Sequence, residues 1–239
     1  MQRSKLALVA GVLGALALFD ALMGPLLVHL GLVTPMFGFQ WLFLLGALEG
    51  LVALVLGLIA LRTTRAGSGV SGRNLAWLGI GCGALMVLVL LAAAGPSGDL
   101  PPINDITTDL EDPPAFTSDP ADRDRDMAYP EDFKAQVRAA YPDLAAQATA
   151  AEPARALELA EATAKKLDWE VVAVDAATGT VLARDTTGIF QFVDDILVRV
   201  RPSEDGGSLI DVRSKSRDGR GDLGANAARI RQFLAAYPR

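Results

Sequence analysis

The densest run of groups able to do chemistry is Asp211-Val-Arg-Ser-Lys-Ser-Arg-Asp-Gly-Arg-Gly-Asp-Leu-Gly-Ala-Asn-Ala-Ala-Arg-Ile-Arg231. Arg213, Arg217 and Arg220 supply guanidinium forks, Ser214 and Ser216 hydroxyls, and Asn226 an amide. They surround a loop, Asp218 to Gly221, that holds two glycines. Such a loop can present backbone N–H groups, and a helix starting behind it adds the positive end of its dipole. The chemistry on offer is binding of phosphate, sulfate or a carboxylate. The competing use is structural. Asp222 caps the helix and repels an anion, while bidentate Arg–Asp pairs fix the loop.

Asp194 and Asp195 form the other reactive pair. Two carboxylates can share acid–base work if their surroundings split their pKa values. Successive strand residues point to opposite faces, however, so these two do not act on one substrate atom. Asp194 is expected on the apolar face, satisfying an arginine such as Arg217 or backbone N–H groups at a turn. Asp194, Asp195, Asp222 and Arg229 are therefore read as structural pairing.

The elements that must position these groups follow from periodicity. Pro130–Tyr141 reads as a short helix and Pro153–Leu167 as a firmer one, with Pro in its first turn and Leu157, Ala160, Ala164 and Leu167 at helical spacing. Trp169–Val174 and Val181–Thr186 read as one hairpin, Phe190–Arg201 and Leu209–Arg217 as a second. Asp222–Ala236 closes the chain as a helix. The expectation is an α+β domain, a four-stranded antiparallel sheet with helices on one face. Alternation puts Ile196, Val198, Val200, Ile210 and Val212 on the helix side. It puts Asp195, Arg199, Arg201, Asp211, Arg213, Lys215 and Arg217 on the other, with Asp211 opposite Arg199.

Ahead of this domain the composition changes. The chain of 239 residues is 51% hydrophobic with net charge −6. Residues 1–94 carry only Arg3, Lys5, Arg62, Arg65, Arg73, Asp20 and Glu49, net +3, and the remainder carries net −9. Leu6–Leu30, Phe37–Leu61 and Leu75–Ala94 are each long enough to cross a hydrocarbon core of ~30 Å as a helix. The chain is thus expected to comprise a three-helix transmembrane region (1–94), an acidic Pro-rich linker partly packed on the domain (95–129) and a soluble domain (130–239). Arg3 and Lys5 precede the first span and three arginines lie between the second and third. The positive-inside rule gives a cytoplasmic N-terminus and a C-terminal domain outside the cytoplasmic membrane, periplasmic in an envelope with an outer membrane.

Asp20 and Glu49 lie inside the spans, at similar depth if the first two helices run antiparallel. They read either as neutral acids hydrogen-bonded between helices or as a proton relay. Small residues four apart (Gly46, Gly50, Ala53, Gly57; Gly79, Gly83) predict close helix packing, within one bundle first and between copies second. One His and one Cys exclude a Cys/His zinc site, a Ser-His-Asp triad and a disulfide within the chain. No metal or cofactor is expected. Nucleic acid is not expected as a partner of an acidic domain without interleaved aromatics. The expected partners are the lipid bilayer and an envelope protein or anionic ligand.

The domain resembles domain-of-unknown-function family fourteen-ninety-nine over residues 101–236. The marks are Pro101-Pro-Ile-Asn-Asp-Ile-Thr-Thr-Asp109, Pro113-Pro-Ala-Phe116, Tyr141-Pro-Asp143, Thr186, Phe192-Val-Asp-Asp195, and the Arg-Ser-Lys-Ser-Arg run with Asp222, Gly224, Asn226, Arg229 and Ile230. Gly221 departs from the family, which often has Ser there. The resemblance implies no particular reaction. The residues favour a membrane-anchored binding or scaffolding module. An enzyme built on the Asp, Arg and Ser groups of the strand-loop-helix, or a proton-linked role for Asp20 and Glu49, are the alternatives.

Overall fold

The computed structural model describes residues 2–94, 100–116 and 127–238. It divides into two compact units, residues 1–97 with 188–191, and residues 98–187 with 192–239.

In the first unit, β1 (Gln2–Arg3) leads into α1 (Lys5–His29). Ser4 caps α1 by accepting the Ala7 N–H at 3.2 Å. The second span starts as α2 (Pro35–Phe37), passes through a π-helical turn (Gly38–Phe43) and continues as α3 (Leu44–Thr63). After β2 (Val70–Ser71), which pairs with β1 in parallel, comes α4 (Arg73–Ala94). Three helices are long and apolar enough to cross a membrane: Lys5–His29, Pro35–Thr63 and the one beginning at Arg73.

Their packing is the inverse of a water-soluble bundle. Small residues (Ala7, Ala10, Ala17, Ala53, Ala60, Ala76) are fully buried, while Leu22, Trp41, Leu88 and Leu91 are exposed. A Cβ on Gly79 would meet Ala10 O at 2.6 Å, one on Gly46 would meet Ala17 O at 2.7 Å, and one on Gly83 would collide with Gly50 O. The small-residue stripes are therefore consumed within the bundle, where backbones approach closely and van der Waals packing holds them. Arg73 donates from Nη1 to Leu61 O at 3.2 Å, placing a cation on the carbonyl end of α3.

The second unit is a β-sheet domain. Its strands are β3 (Asp105–Thr107), β4 (Gln147–Thr149), β5 (Glu170–Asp175), β6 (Thr180–Thr186), β7 (Val193–Pro202) and β8 (Ser208–Ser216). Its helices are α5 (Glu131–Ala140), α6 (Pro153–Lys166) and α7 (Ala225–Ala236). The sheet has six strands where four were expected. The order is β3-β8-β7-β6-β5, and β4 also pairs with β8.

The two additional strands sit in tandem on one edge of β8. Asp105 to Thr107 oppose Lys215 to Arg213, and Gln147 to Thr149 oppose Ile210 to Ser208. Between them Thr108 closes the gap: its N–H donates to Val212 O and its Oγ1 accepts the Val212 N–H. Both strands are three residues long, too short for alternation to reveal, and both exist because β8 offers an unpaired edge.

The core lies on one face of the sheet. Ile106, Val181, Ile196, Val198, Ile210 and Val212 meet Ala160 and Ala164 of α6, Val137 of α5, and Ile230 and Phe233 of α7. Trp169 stacks on Phe233 with ring centroids 5.3 Å apart. Helix α7 begins at Ala225, later than expected, because Leu223 and Gly224 take positive φ values of 53° and 83°. Asp222 still serves its start, accepting the Gly224 and Asn226 N–H groups at 2.8 Å each.

Candidate functional site

Alternation along β7 and β8 divides the charged residues into two sets, one on each face of the sheet. On the helix side, Ser214 and Ser216 of β8 and Asp194 of β7 face α7, which contributes Asn226 and Arg229. Arg229 donates from Nη2 to Asp194 Oδ2 at 2.6 Å, from Nε to Asp185 Oδ2 at 2.9 Å and from Nη1 to Asn226 Oδ1 at 2.7 Å. Ser214 Oγ donates to Asn226 Oδ1 at 2.6 Å, and Asn226 Nδ2 donates to Ser216 Oγ and to Asn104 O. Asn226 is fully buried and saturated, so it orders the other groups as a hub.

On the opposite face Arg213 is 1% exposed and Asp105 fully buried. Arg213 grips Asp105 with two prongs, Nε to Oδ1 at 2.9 Å and Nη2 to Oδ2 at 2.7 Å. It also donates to Pro114 O and Met127 O. The ring centroids of Phe116 and Tyr129 lie 4.8 Å and 5.1 Å from its guanidinium carbon, where the ring faces attract a cation. Lys215 adds a second cation on Asp105 at 3.1 Å. Burial and the neighbouring Asp105 push the Tyr129 phenol well above its ordinary pKa.

Further along the same face, Asp211 Oδ2 accepts from Arg199 Nη2 at 3.0 Å and Arg201 Nε at 2.8 Å, and both arginines also reach Asp109. The expected Asp211–Arg199 cross-strand pair is present. Arg217 grips Asp195 through Nη2 at 2.6 Å and Nε at 3.0 Å. Arg217 therefore does not serve Asp194, which belongs to Arg229. The cause is β alternation: Arg217 continues the Arg213 and Lys215 face, which Asp195 shares. Arg220 is exposed on the loop.

The six residues considered for anion binding do not converge on one cleft. Ser214, Ser216 and Asn226 bond among themselves and to Arg229 on the helix side. Arg213 and Arg217 face the other way, each on its own carboxylate. Among the described residues, no group of three or more His, Cys, Asp or Glu is arranged to hold a metal ion. In the first unit, a Cβ on Gly46 would lie 3.3 Å from Asp20 Cβ. Glu49 is one turn from Gly46 on α3, and its Oε2 is buried without a hydrogen-bond partner.

Residues 105–237 match the family described as Protein of unknown function (DUF1499). The chain belongs to the DUF1499 family. No curated protein matches the chain at a significant level. The DUF1499 match begins at Asp105, the carboxylate that neutralises Arg213, so the matched region contains both ends of that pair. Asp105, Asp109, Asp185, Phe116 and Tyr129 are the functional partners that sequence reasoning missed. The signal available was that residues 101–109 and Phe116 stand among the marks of the family resemblance; three residues of alternation do not mark β3 as a strand.

Proposed function

We propose that this DUF1499 protein is a membrane-anchored module whose domain lies outside the cytoplasm and binds or scaffolds a partner at the cell envelope, without catalysing a reaction. The observation that carries this reading is the closure of the cations. Arg213, Arg217 and Arg229 each bond a carboxylate inside the domain, so the groups best suited to hold an anionic substrate already hold the fold. Orientation rests on Arg3, Lys5, Arg62, Arg65 and Arg73, which flank the spans on one side.

Two measurements test it. A phosphatase fused after Arg239 that works only outside the cytoplasm should be active, and a fluorescent protein that folds only inside it should be dark. Reversal of that pattern overturns the orientation. In thermal-shift assays of the full chain in detergent, phosphate, sulfate and acetate should leave the melting temperature unchanged. A stabilisation that disappears in Arg217→Ala would favour an anion-binding or catalytic site.

A second reading places activity in the bundle, and the unpartnered Glu49 Oε2 near Asp20 favours it. Buried carboxyls in a membrane mark proton or ion paths when they are functional. It predicts a phenotype shared by Asp20→Asn and Glu49→Gln in cells that still insert the protein at wild-type levels.

A further inference from the structure

The loop between β8 and α7 combines three properties. It is braced at its base, strained at its tip and apolar where it is exposed. Asn104 Nδ2 donates to Gly219 O at 2.7 Å, and the Asp222 N–H donates to Ile103 O at 3.2 Å. Gly221 sits against Pro102, and Gly224 against Leu100, whose Cδ1 would be 3.1 Å from an added Cβ. The loop is thus fixed to residues 100–104, the first described residues after α4.

At its tip Leu223 is 69% exposed with φ of 53°. A bulky L residue adopts that left-handed conformation only when its surroundings impose it. Here the imposed conformation turns a leucine toward solvent. Leu100 beside it is 36% exposed, and Arg220 is exposed on the same loop. Leu100 is six residues beyond Ala94, the end of α4, and six residues fully extended span at most about 21 Å.

We propose that the Arg220–Leu223 loop is a lipid-contacting element: Leu223 and Leu100 enter the boundary between headgroups and acyl chains, and Arg220 meets lipid phosphate. The occupant is the bilayer that holds α1, α3 and α4, since the chain itself limits how far the loop can stand from it. An exposed leucine and an exposed arginine on one short loop match the chemistry of that boundary, where apolar groups bury ~5–10 Å deep. This inference rests on the reading that the three helices span a membrane, and not on which side the domain lies.

The test uses the full chain with Cys82→Ala, in nanodiscs of phosphatidylethanolamine and phosphatidylglycerol. Single labels are placed through Leu223→Cys, Val174→Cys on β5 and Leu85→Cys on α4. The Leu223 label should be quenched by lipid carrying a nitroxide near the headgroup and shielded from aqueous iodide, and Arg220→Glu should weaken that quenching. The Val174 label should show the opposite pattern. A Leu223 label that iodide reaches as it reaches Val174, with no nitroxide quenching, overturns the proposal. In that case a Leu85 label quenched by deep nitroxide lipid shows that the spanning reading still stands. Failure of Leu85 to be quenched overturns both.

Discussion

Asp105 and Arg213 stand 108 residues apart and meet in a two-pronged ion pair with distances of 2.9 Å and 2.7 Å. Neither is exposed beyond 1%. Removing one partner strands a buried charge, whereas replacing both with apolar groups of similar volume is far less costly. Asp105→Ala should destabilise the domain by about 3–5 kcal/mol, and Asp105→Leu with Arg213→Met should recover part of that loss. Thermal melting of the purified chain and its variants in detergent checks both.

Asn226 and Arg220 separate the structural from the exposed members of the strand-loop-helix. Asn226→Ala removes the acceptor shared by Ser214 Oγ and Arg229 Nη1 and the donor to Ser216 Oγ and Asn104 O, and should cost about 2–4 kcal/mol at a buried hub where several bonds are lost together. Arg220→Ala touches none of them and should change stability by less than ~0.5 kcal/mol. Equal shifts for the two variants would sink the hub assignment.

All three tyrosines of the chain, Tyr129, Tyr141 and Tyr237, have phenol pKa values raised first of all by burial. Each folded value lies above the unfolded value of about 10. The stability they contribute is therefore complete below that pH and is lost as pH rises through the window between the unfolded and folded values. Absorbance at the phenolate band should stay flat past the ordinary tyrosine range, then rise together with loss of near-ultraviolet circular dichroism. A native-state titration at the ordinary value would contradict this burial.

Gly81 and Gly83 lie on the same helix with opposite surroundings. A Cβ on Gly83 would collide with Gly50 O, while one on Gly81 meets nothing within 4 Å. Gly83→Leu should separate α3 from α4 and lower the melting temperature in detergent, whereas Gly81→Leu should be tolerated. Equal tolerance would show that the bundle does not rely on this approach.

The three long apolar helices and the two hairpins were legible because apolar run length and period-2 alternation survive without tertiary context. The expected helix Pro130–Tyr141 appears as Glu131–Ala140. The strands β3 and β4 were not legible, because three residues carry too little periodicity and their pairing depends on β8, which begins at Ser208, well beyond both. Sharing of faces was readable: Arg217 continues the alternation of Arg213 and Lys215, so its bond to Asp195 follows from register. The Asp194–Arg229 pair was not, since it needs the packing of α7 on the sheet. The expected acidic run over residues 117–126 lies outside the described residues.

The tandem placement of β3 and β4 on β8 also fixes an order of events during synthesis. Asp105 pairs with Lys215, 110 residues later. At typical elongation of about 5–20 residues per second, the strand that follows α4 waits roughly 5–20 s for its partner. Throughout that interval the Asp105 carboxylate is hydrated and Arg213 has yet to be made. Asp105 thus carries an unpaired charge until the strand with Arg213 and Lys215 arrives, and only then is it buried as their counter-ion.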